Sequence, residues 1–320
     1  MKSFRIAALC ALALLVLAPA AGAAENLTLE QTVLRALERN PTMQSVRAQL
    51  AGAEYGRMAA LGSFGPSLTT GYGFTHNDHR KPKRDVATSE QDIFAWTFNA
   101  HQDLFTGFKL LSTYEKAALT KDSAETGVRK AELSLIQTVQ QNFLTLLKAR
   151  ADVKSAEDSV ARLQEQLKVT TAFYDVGLKP RLDVLQAESD LASAQDTLLQ
   201  AKNAVATQIA RLNTLLDMPL DAGVEYVGQL EYLPCTLGID AALARALKDR
   251  PDLDIAQKSV EIARKDKKIT DAAFYPTLGA DYDYSREGNG MSVSGSNLMK
   301  TEWSEWSVSA SASWKFFEWG

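Results

Sequence analysis

Two long runs of helix-forming sequence flank a short turn signal, Val176-Gly177-Leu178-Lys179-Pro180. Sustained sevenfold spacing of apolar residues on both sides of this signal predicts a coiled coil rather than a globular helix. Gly177 suits the positive φ that ends a helix, and Pro180 suits the first turn of the next helix. We therefore predict an antiparallel helical hairpin. Its seam contains Val139, Leu146, Val153, Val160 and Leu167 in the first arm, and Val184, Leu191, Leu198, Val205 and Leu212 in the second.

The two predicted arms differ in length. The first, 108–175, would extend about 100 Å at a rise of 1.5 Å per residue, and the second, 181–216, about half as far. The rest of the first arm needs another partner, and a predicted helix over 28–63 has a suitable length. Thr28 and Gln31 predict a capping box at the start of that helix. Gln208 is the one polar residue at the seam positions predicted for the second arm.

Part of the chain is repeated. Residues 29–68 align without a gap on 239–278, and the matched pairs include Pro41 with Pro251 and Pro66 with Pro276. The long separation between the two aligned segments indicates a duplicated unit rather than a solenoid, whose repeats are short. The repeat predicts a helix followed by two strands in each copy, with the strand pairs within 67–104 and 278–316.

Apolar and polar residues alternate in both predicted strand pairs, and a long polar loop separates the strands of each pair. This alternation fits a half-buried soluble sheet. It also fits outer-membrane strands, which carry one apolar face with aromatic residues near the strand ends. The loops are longer than most soluble hairpin loops, which favours the membrane interpretation. On that interpretation, the residues that face lipid include Phe94, Trp96, Trp306 and Trp314.

Four strands are too few to close a membrane barrel, and open strand edges are not tolerated in lipid. The chain would therefore have to pool its strands with copies of itself. Two copies would supply eight strands and three copies twelve, and only the larger barrel leaves a useful lumen.

Residues 1–24 have the features of a secretory signal peptide, with Lys2 and Arg5 before an apolar core and Ala21-Gly22-Ala23 as a cleavage site. We expect an exported chain. No later stretch is long and apolar enough for a membrane-spanning helix. Cys235 is the only cysteine outside the signal segment, so no internal disulfide is expected. The formal charge of −4 offers no field for a polyanion, and we expect no nucleic-acid partner.

The sequence contains no recognisable catalytic constellation, and we expect no enzymatic activity, no cofactor and no metal site. His76 and His79 are close together but lack the third donor that a metal site needs. Asp183 follows the turn at a helix start, where a carboxylate suits the helix dipole. Leu178 would be an exposed apolar residue at the hairpin tip, which indicates a partner.

With these features the chain resembles the TolC-like outer-membrane efflux proteins. The resemblance covers all of the chain after residue 24, and it depends on the order and spacing of motifs that are individually short. They are Ala36-Leu37 with Asn40-Pro41, Arg250-Pro251-Asp252-Leu253, Pro66 and Pro276, Leu104-Phe105-Thr106-Gly107, Phe316-Phe317-Glu318-Trp319-Gly320, and Val176-Gly177-Leu178 followed by Asp183-Val184-Leu185-Gln186-Ala187.

The resemblance implies a homotrimer in which each chain gives four strands to a twelve-stranded outer-membrane barrel and long helices form a tube across the periplasm. It also implies a passive exit duct of an efflux or type I secretion system, which an inner-membrane pump reaches through a periplasmic adaptor. Val176, Gly177 and Leu178 correspond to the adaptor-docking tip, and we add Asp183 to this set. The family's second repeat also carries a long helical hairpin, in which its gate residues would lie.

We therefore predict an α+β fold with a long coiled-coil hairpin, four transmembrane strands and an internal duplication of 29–107 in 239–320. The predicted divisions are the signal peptide 1–24, a first repeat 25–238 and a truncated second repeat 239–320. We expect either a parent sequence of roughly 430 residues, because the repeat calls for one more hairpin, or a non-functional product. A periplasmic coiled-coil adaptor or scaffold without a pore is the alternative function.

Overall fold

A computed structural model describes residues 25–76, 92–232, 234, 236–288, 290–293, 303–317 and 319. The predicted signal peptide, His79, Cys235 and most of the first polar loop lie outside these residues. The elements in chain order are β1 (Glu25–Leu27), α1 (Leu29–Arg39), α2 (Pro41–Gly62), β2 (Ser67–His76), β3 (Asp92–Phe105), α3 (Lys109–Asp175), α4 (Arg181–Leu215), β4 (Val224–Tyr226), α5 (Ile239–Asp249), α6 (Pro251–Asp271), a 3₁₀ turn (Ala272–Phe274), β5 (Thr277–Gly288) and β6 (Trp303–Ser313).

This order confirms the predicted fold class: a long helical hairpin, four longer strands and a duplicated helix–strand unit. The chain packs into two compact units. One contains the described residues up to Ser45 together with Ala131–Leu237, and the other contains Val46–Lys130 with the described residues from Gly238 onward. Helix α3 contributes to both units, because the boundary between Lys130 and Ala131 falls inside it. Packing therefore divides the chain differently from the sequence repeats.

In the first unit, α4 packs against the C-terminal half of α3 along the predicted seam. Seam positions of α4 from Val184 to Leu215 are buried or half-buried, while most positions between them are exposed. A narrow apolar stripe of this kind is typical of a two-helix coiled coil. The stripe ends in an apolar cluster that consists of Leu27, Ala36, Val139, Phe143, Leu146, Leu147, Leu212, Leu216 and Tyr226.

Tyr226 closes this cluster from β4, which pairs in parallel with β1. Its hydroxyl donates a hydrogen bond to Oδ1 of Asn213 over 2.7 Å, and Nδ2 of Asn213 donates to the carbonyl of Leu220 over 3.1 Å. The ring stands edge-on to Phe143, with 6.1 Å between centroids. Burial raises the pKa of the Tyr226 hydroxyl to about 12, because the interior disfavours the phenolate.

The single helix predicted over 28–63 is wrong, since the chain forms α1 and α2 with a break at Asn40. The residue before a proline is disfavoured in the α region, and Asn40 accordingly has φ −57° and ψ 127° ahead of Pro41. Nδ2 of Asn40 donates to the carbonyl of Leu215 over 3.0 Å, which attaches the break to the end of α4. The predicted capping box of Thr28 and Gln31 is present.

In the second unit, β2, β3, β5 and β6 form one antiparallel sheet in that order. The strand pairs β2–β3 and β5–β6 come from the two repeats, and β3 pairs with β5 to join them. Strand β6 ends at Ser313, so Trp314 lies just beyond the strand in which we predicted it. Its indole N–H donates to the carbonyl of Phe274 over 3.1 Å. Among the helices of the described residues, none has the length and apolar character of a membrane span.

In the same unit, α6 lies beside the N-terminal half of α3, and several polar contacts join the two helices. Ion pairs join Nζ of Lys116 to Oδ1 of Asp266 over 2.6 Å, and Nζ of Lys130 to Oδ1 of Asp252 over 2.7 Å. Between them, Nζ of Lys258 lies 2.7 Å from Oγ1 of Thr126. We call these contacts, with the pair Glu115–Lys265, the charged seam.

Candidate functional site

The hairpin between α3 and α4 turns through a Schellman motif. Gly177 has φ +75°, and its N–H donates to the carbonyl of Tyr174 over 2.9 Å, while the N–H of Leu178 donates to the carbonyl of Phe173 over 2.8 Å. These bonds satisfy carbonyls at the end of α3 that have no partner within the helix. The predicted positive φ of Gly177 is confirmed. Pro180 is the N-cap of α4 rather than a first-turn residue, because α4 begins at Arg181.

The tip formed by this turn presents apolar side chains to solvent. Val176 is 68%, Leu178 71% and Leu182 72% exposed. Asp183 lies in the first turn of α4, where a carboxylate is favoured by the helix dipole, and one of its oxygens is 3.5 Å from Nζ of Lys179. The tip therefore combines an apolar surface with a turn whose backbone hydrogen bonds form within the chain.

The sheet of the second unit has one aromatic face. Directly paired residues of antiparallel strands share a face, so the register places Phe94 and Trp96 of β3 on the same face as Trp306 of β6. Aromatic rings of neighbouring strands are in contact there, with centroids 5.5 Å apart for Trp96 and Tyr284 and 4.7 Å apart for Phe74 and Phe94. Trp96 is 40% and Trp306 66% exposed. Three of the four predicted lipid-facing aromatics thus lie on one exposed face, and Trp314 lies beyond it.

The opposite face of the sheet is polar. Nδ2 of Asn99 donates to Oδ1 of Asp283 over 2.7 Å, and Nδ1 of His101 lies 2.6 Å from Oδ1 of Asp281. Hydroxyl side chains continue the same rows on the outer strands, including Ser307 opposite Asp283. Among the described residues, no group of three or more histidine, cysteine or acidic side chains could hold a metal ion.

The junction between β3 and α3 is a tightly packed point whose structural role sequence reasoning missed. Gly107 has φ +63°, and a Cβ there would stand 2.7 Å from the carbonyl oxygen of Ala272 and 2.7 Å from Cβ of Tyr275. Only glycine accommodates both the φ and the approach. The Leu104–Gly107 motif indicated the position of the junction, but the close neighbour lies far along the chain and leaves no local signal.

A second residue that sequence reasoning missed is Arg286 of β5. It is the only lysine or arginine in the described strands, and it lies on the aromatic face, where the register pairs it with Trp96 on one side and Ser304 on the other. The alternation of β5 in the sequence could have revealed this position.

Comparison with known proteins agrees with this arrangement. The family model described as "Outer membrane efflux protein" matches residues 33–217 and 242–320. The chain belongs to the outer membrane efflux protein family. The resemblance inferred from the tip, junction and proline motifs is therefore confirmed.

Related proteins include the outer membrane efflux protein BepC of Brucella suis biovar 1, with 24% identity over 261 residues. The alignment covers 80% of this chain and 54% of BepC. The outer membrane protein TolC of Vibrio cholerae is 24% identical over 297 residues, with 89% and 63% covered. The chain thus spans between half and two thirds of the length of these efflux-family relatives.

Solved structures show the same fold. The outer membrane channel CmeC of Campylobacter jejuni superimposes with a TM-score of 0.75 at 18% identity, covering 91% of this chain and 62% of that one. The outer membrane protein VceC of Vibrio cholerae superimposes with a TM-score of 0.72 at 19% identity, covering 91% and 69%.

Proposed function

We propose that the chain forms part of an outer-membrane duct, through which a tripartite efflux or type I secretion system exports its substrate. The observation that carries the proposal is that a member of the efflux protein family combines a long helical hairpin with a four-stranded sheet that has one exposed aromatic face. A periplasmic coiled-coil adaptor would need the hairpin but has no use for such a sheet. The family membership likewise favours the duct.

In this proposal the sheet is one part of a barrel built by several copies. Among the described strands of this sheet, β2 and β6 are outermost, so each has one edge that no other described strand pairs with. Because unpaired backbone edges are unstable in lipid, the edge of one copy would pair with that of the next. Three copies would give twelve strands and a lumen.

The two faces of the sheet would then have separate roles. Phe94, Trp96 and Trp306 would contact outer-membrane lipid, with Trp314 beside them just past the end of β6. The row of Asn99, Asp283 and Ser307 would line the water-filled interior. The division of the chain into a signal peptide, a first repeat 25–238 and a second repeat 239–320 belongs to the same proposal.

The helical hairpin would extend into the periplasm and dock on an adaptor through its tip, which is Val176, Gly177, Leu178 and the helix start at Asp183. Exposed apolar residues at a hairpin end favour a protein partner. The adaptor would connect the duct with an inner-membrane pump. Relatives are named for antibiotic efflux and for alkaline protease secretion, so both kinds of export are represented in the family.

The duct is tested by cell fractionation. We expect the protein in outer-membrane fractions, with electrophoretic mobility that changes on heating, because membrane barrels of many strands unfold only at high temperature in detergent. A monomer in the periplasmic fraction with unchanged mobility would support the adaptor instead.

The tip is tested by Leu178→Ser, with Leu199→Ser as the matched control. Both leucines are exposed on the hairpin, at 71% and 58%, but Leu199 lies in mid-helix away from the tip. We expect normal abundance for both variants and weaker crosslinking to the adaptor only for Leu178→Ser. Equal crosslinking of both variants would contradict tip docking.

A further inference from the structure

Arg286 occupies an unusual place in the sheet. The other acidic and basic side chains of β5 and β6, including Asp281, Asp283 and Glu305, lie on the polar face. Arg286 alone among the charged residues of these two strands lies on the aromatic face. Since facing hydrocarbon is costly for a cation, the position of Arg286 indicates a depth at which the aromatic face meets headgroups or water.

Its neighbours lie near one end of the sheet. The register aligns Tyr72, Trp96, Arg286 and Ser304 in one row across the four strands. This row is close to the end at which β2 connects to β3 and β5 connects to β6, opposite the end where the helices are attached. The Tyr72 side chain reaches this end of the sheet: its hydroxyl donates to the carbonyl of Met291 in the β5–β6 connection over 2.6 Å.

The row has the composition of a membrane interface. Tryptophan and tyrosine are enriched where lipid headgroups begin, and arginine there reaches toward the headgroups. Trp96 is fixed in place, since its indole N–H donates to Oγ1 of Thr70 over 2.9 Å.

We propose that Arg286, flanked by Trp96 and Tyr72, binds the phosphate group of an outer-membrane lipid. The inference rests on the proposed function, because it needs the aromatic face to contact lipid. A guanidinium presents five N–H donors in a planar fork that matches a phosphate, so it binds one while keeping contacts within the protein. The flat rings beside it provide apolar surface for the acyl chains of the same lipid.

The experiment uses the full chain in a neutral detergent and adds bis-phosphorylated lipid A, its dephosphorylated form or inorganic phosphate. We expect lipid A to remain bound through gel filtration and to raise the unfolding temperature. The other two additions should do neither. Arg286→Gln should weaken lipid A binding about tenfold, the loss of one charge-assisted hydrogen bond, while Arg286→Lys should retain part of it.

Arg264→Gln is the matched control. Arg264 is an exposed arginine of α6 with an ion pair to Glu261 at 2.6 Å, so its loss removes the same charge away from the sheet. Unchanged lipid A binding in Arg286→Gln, or an equal loss in Arg264→Gln, would overturn the proposal.

The wild-type protein alone also tests the proposal if Arg286→Gln does not fold. Equal binding of lipid A and its dephosphorylated form would mean that the phosphate is not recognised, although the sheet still contacts lipid. Stabilisation by inorganic phosphate alone would also contradict a lipid site. These results differ from those expected if the proposed duct itself is wrong. In that case the protein would bind none of the lipids and would be absent from outer-membrane fractions.

Discussion

The two halves of helix α3 are held in different ways. From Ala131 to Asp175, apolar residues pack against α4 in a heptad seam, and Val139 and Leu146 are fully buried. From Lys109 to Lys130, the helix contacts α6 through the charged seam, whose side chains are half-buried or exposed. One continuous helix therefore combines a water-excluding contact with a contact that water can enter.

The difference matters because the two kinds of contact respond to different changes. Apolar burial is nearly independent of pH and salt, and it is lost mainly when packing is disturbed. Exposed ion pairs contribute little individually and are screened by salt. We therefore expect the C-terminal half to supply most of the stability and the N-terminal half to separate more easily from its neighbour.

The largest effect is expected for Leu146→Asp. An aspartate there would place an uncompensated charge in the apolar cluster and cost about 4 kcal/mol of unfolding free energy. Leu144→Asp is the control, because Leu144 is 47% exposed on the outer side of the same turn. Urea unfolding followed by circular dichroism measures both. Similar losses in the two variants would contradict a seam-based account of this half.

The two ends of α3 offer a second contrast, in which both glycines have positive φ. Gly107→Ala adds a methyl group that would stand 2.7 Å from the carbonyl oxygen of Ala272, whereas at Gly177 nothing lies within 4 Å. We expect Gly107→Ala to cost about 3 kcal/mol, from backbone strain plus the clash, and Gly177→Ala about 1 kcal/mol, from strain alone. Thermal unfolding of both variants tests the difference. Equal costs would mean that the junction relaxes around the methyl group.

The sequence predicted the parts of this fold that depend on local period. Heptad spacing located the seam of α4, and alternation assigned Trp96 and Trp306 to one face of the sheet. The break at Asn40 also has a local signal in the sequence, because Pro41 follows it. Strand β1 is too short to show an alternation of apolar and polar residues.

The charged seam was not predicted, and its partners explain why. Lys116 and Asp266 are 150 positions apart, and charged residues on a helix surface normally indicate only a solvated face. The sequence positions of Lys130 and Lys258 do not show whether these side chains contact a neighbouring helix or only water. The tip was located correctly as a turn, but the binding of an adaptor there stays a prediction.

Gln208→Leu should stabilise the apolar contact between α3 and α4 further. Gln208 occupies a half-buried seam position, and its Oε1 is buried with no hydrogen-bond partner among the described residues. Replacing an unsatisfied amide by an apolar side chain of similar size should stabilise the hairpin by about 1 kcal/mol. The control is Gln200→Leu, since Gln200 is exposed and bonds Asp196. A destabilised Gln208→Leu would show that the amide fixes the register of the two helices.

The smallest effects, and the most selective, concern pH. The Lys130 ammonium, then Arg250, lowers the pKa of Asp252 from its ordinary value of 3.8. The Lys258 ammonium, then the Thr126 hydroxyl, lowers that of Asp254. A lowered folded-state pKa gives stability that is present above the unfolded value and is lost as pH falls through the folded value.

Tyr226 behaves in the opposite way: burial raises its pKa to about 12, so its contribution is lost as pH rises above the unfolded value near 10.

Acid should therefore loosen the half of α3 beside α6, and alkali the half beside α4. Hydrogen exchange measured by mass spectrometry, corrected for the pH dependence of intrinsic rates, would follow Lys109–Lys130 and Ala131–Asp175 separately. Below about pH 4, where aspartates begin to protonate, we expect faster exchange only in the first segment. Added salt should also speed exchange in that segment.

Lys130→Met should reduce the acid effect. The control Lys168→Met should not, because Lys168 pairs with Glu165 of its own helix. Equal acid loosening of both segments would show that the charged seam does not hold α3 and α6 together.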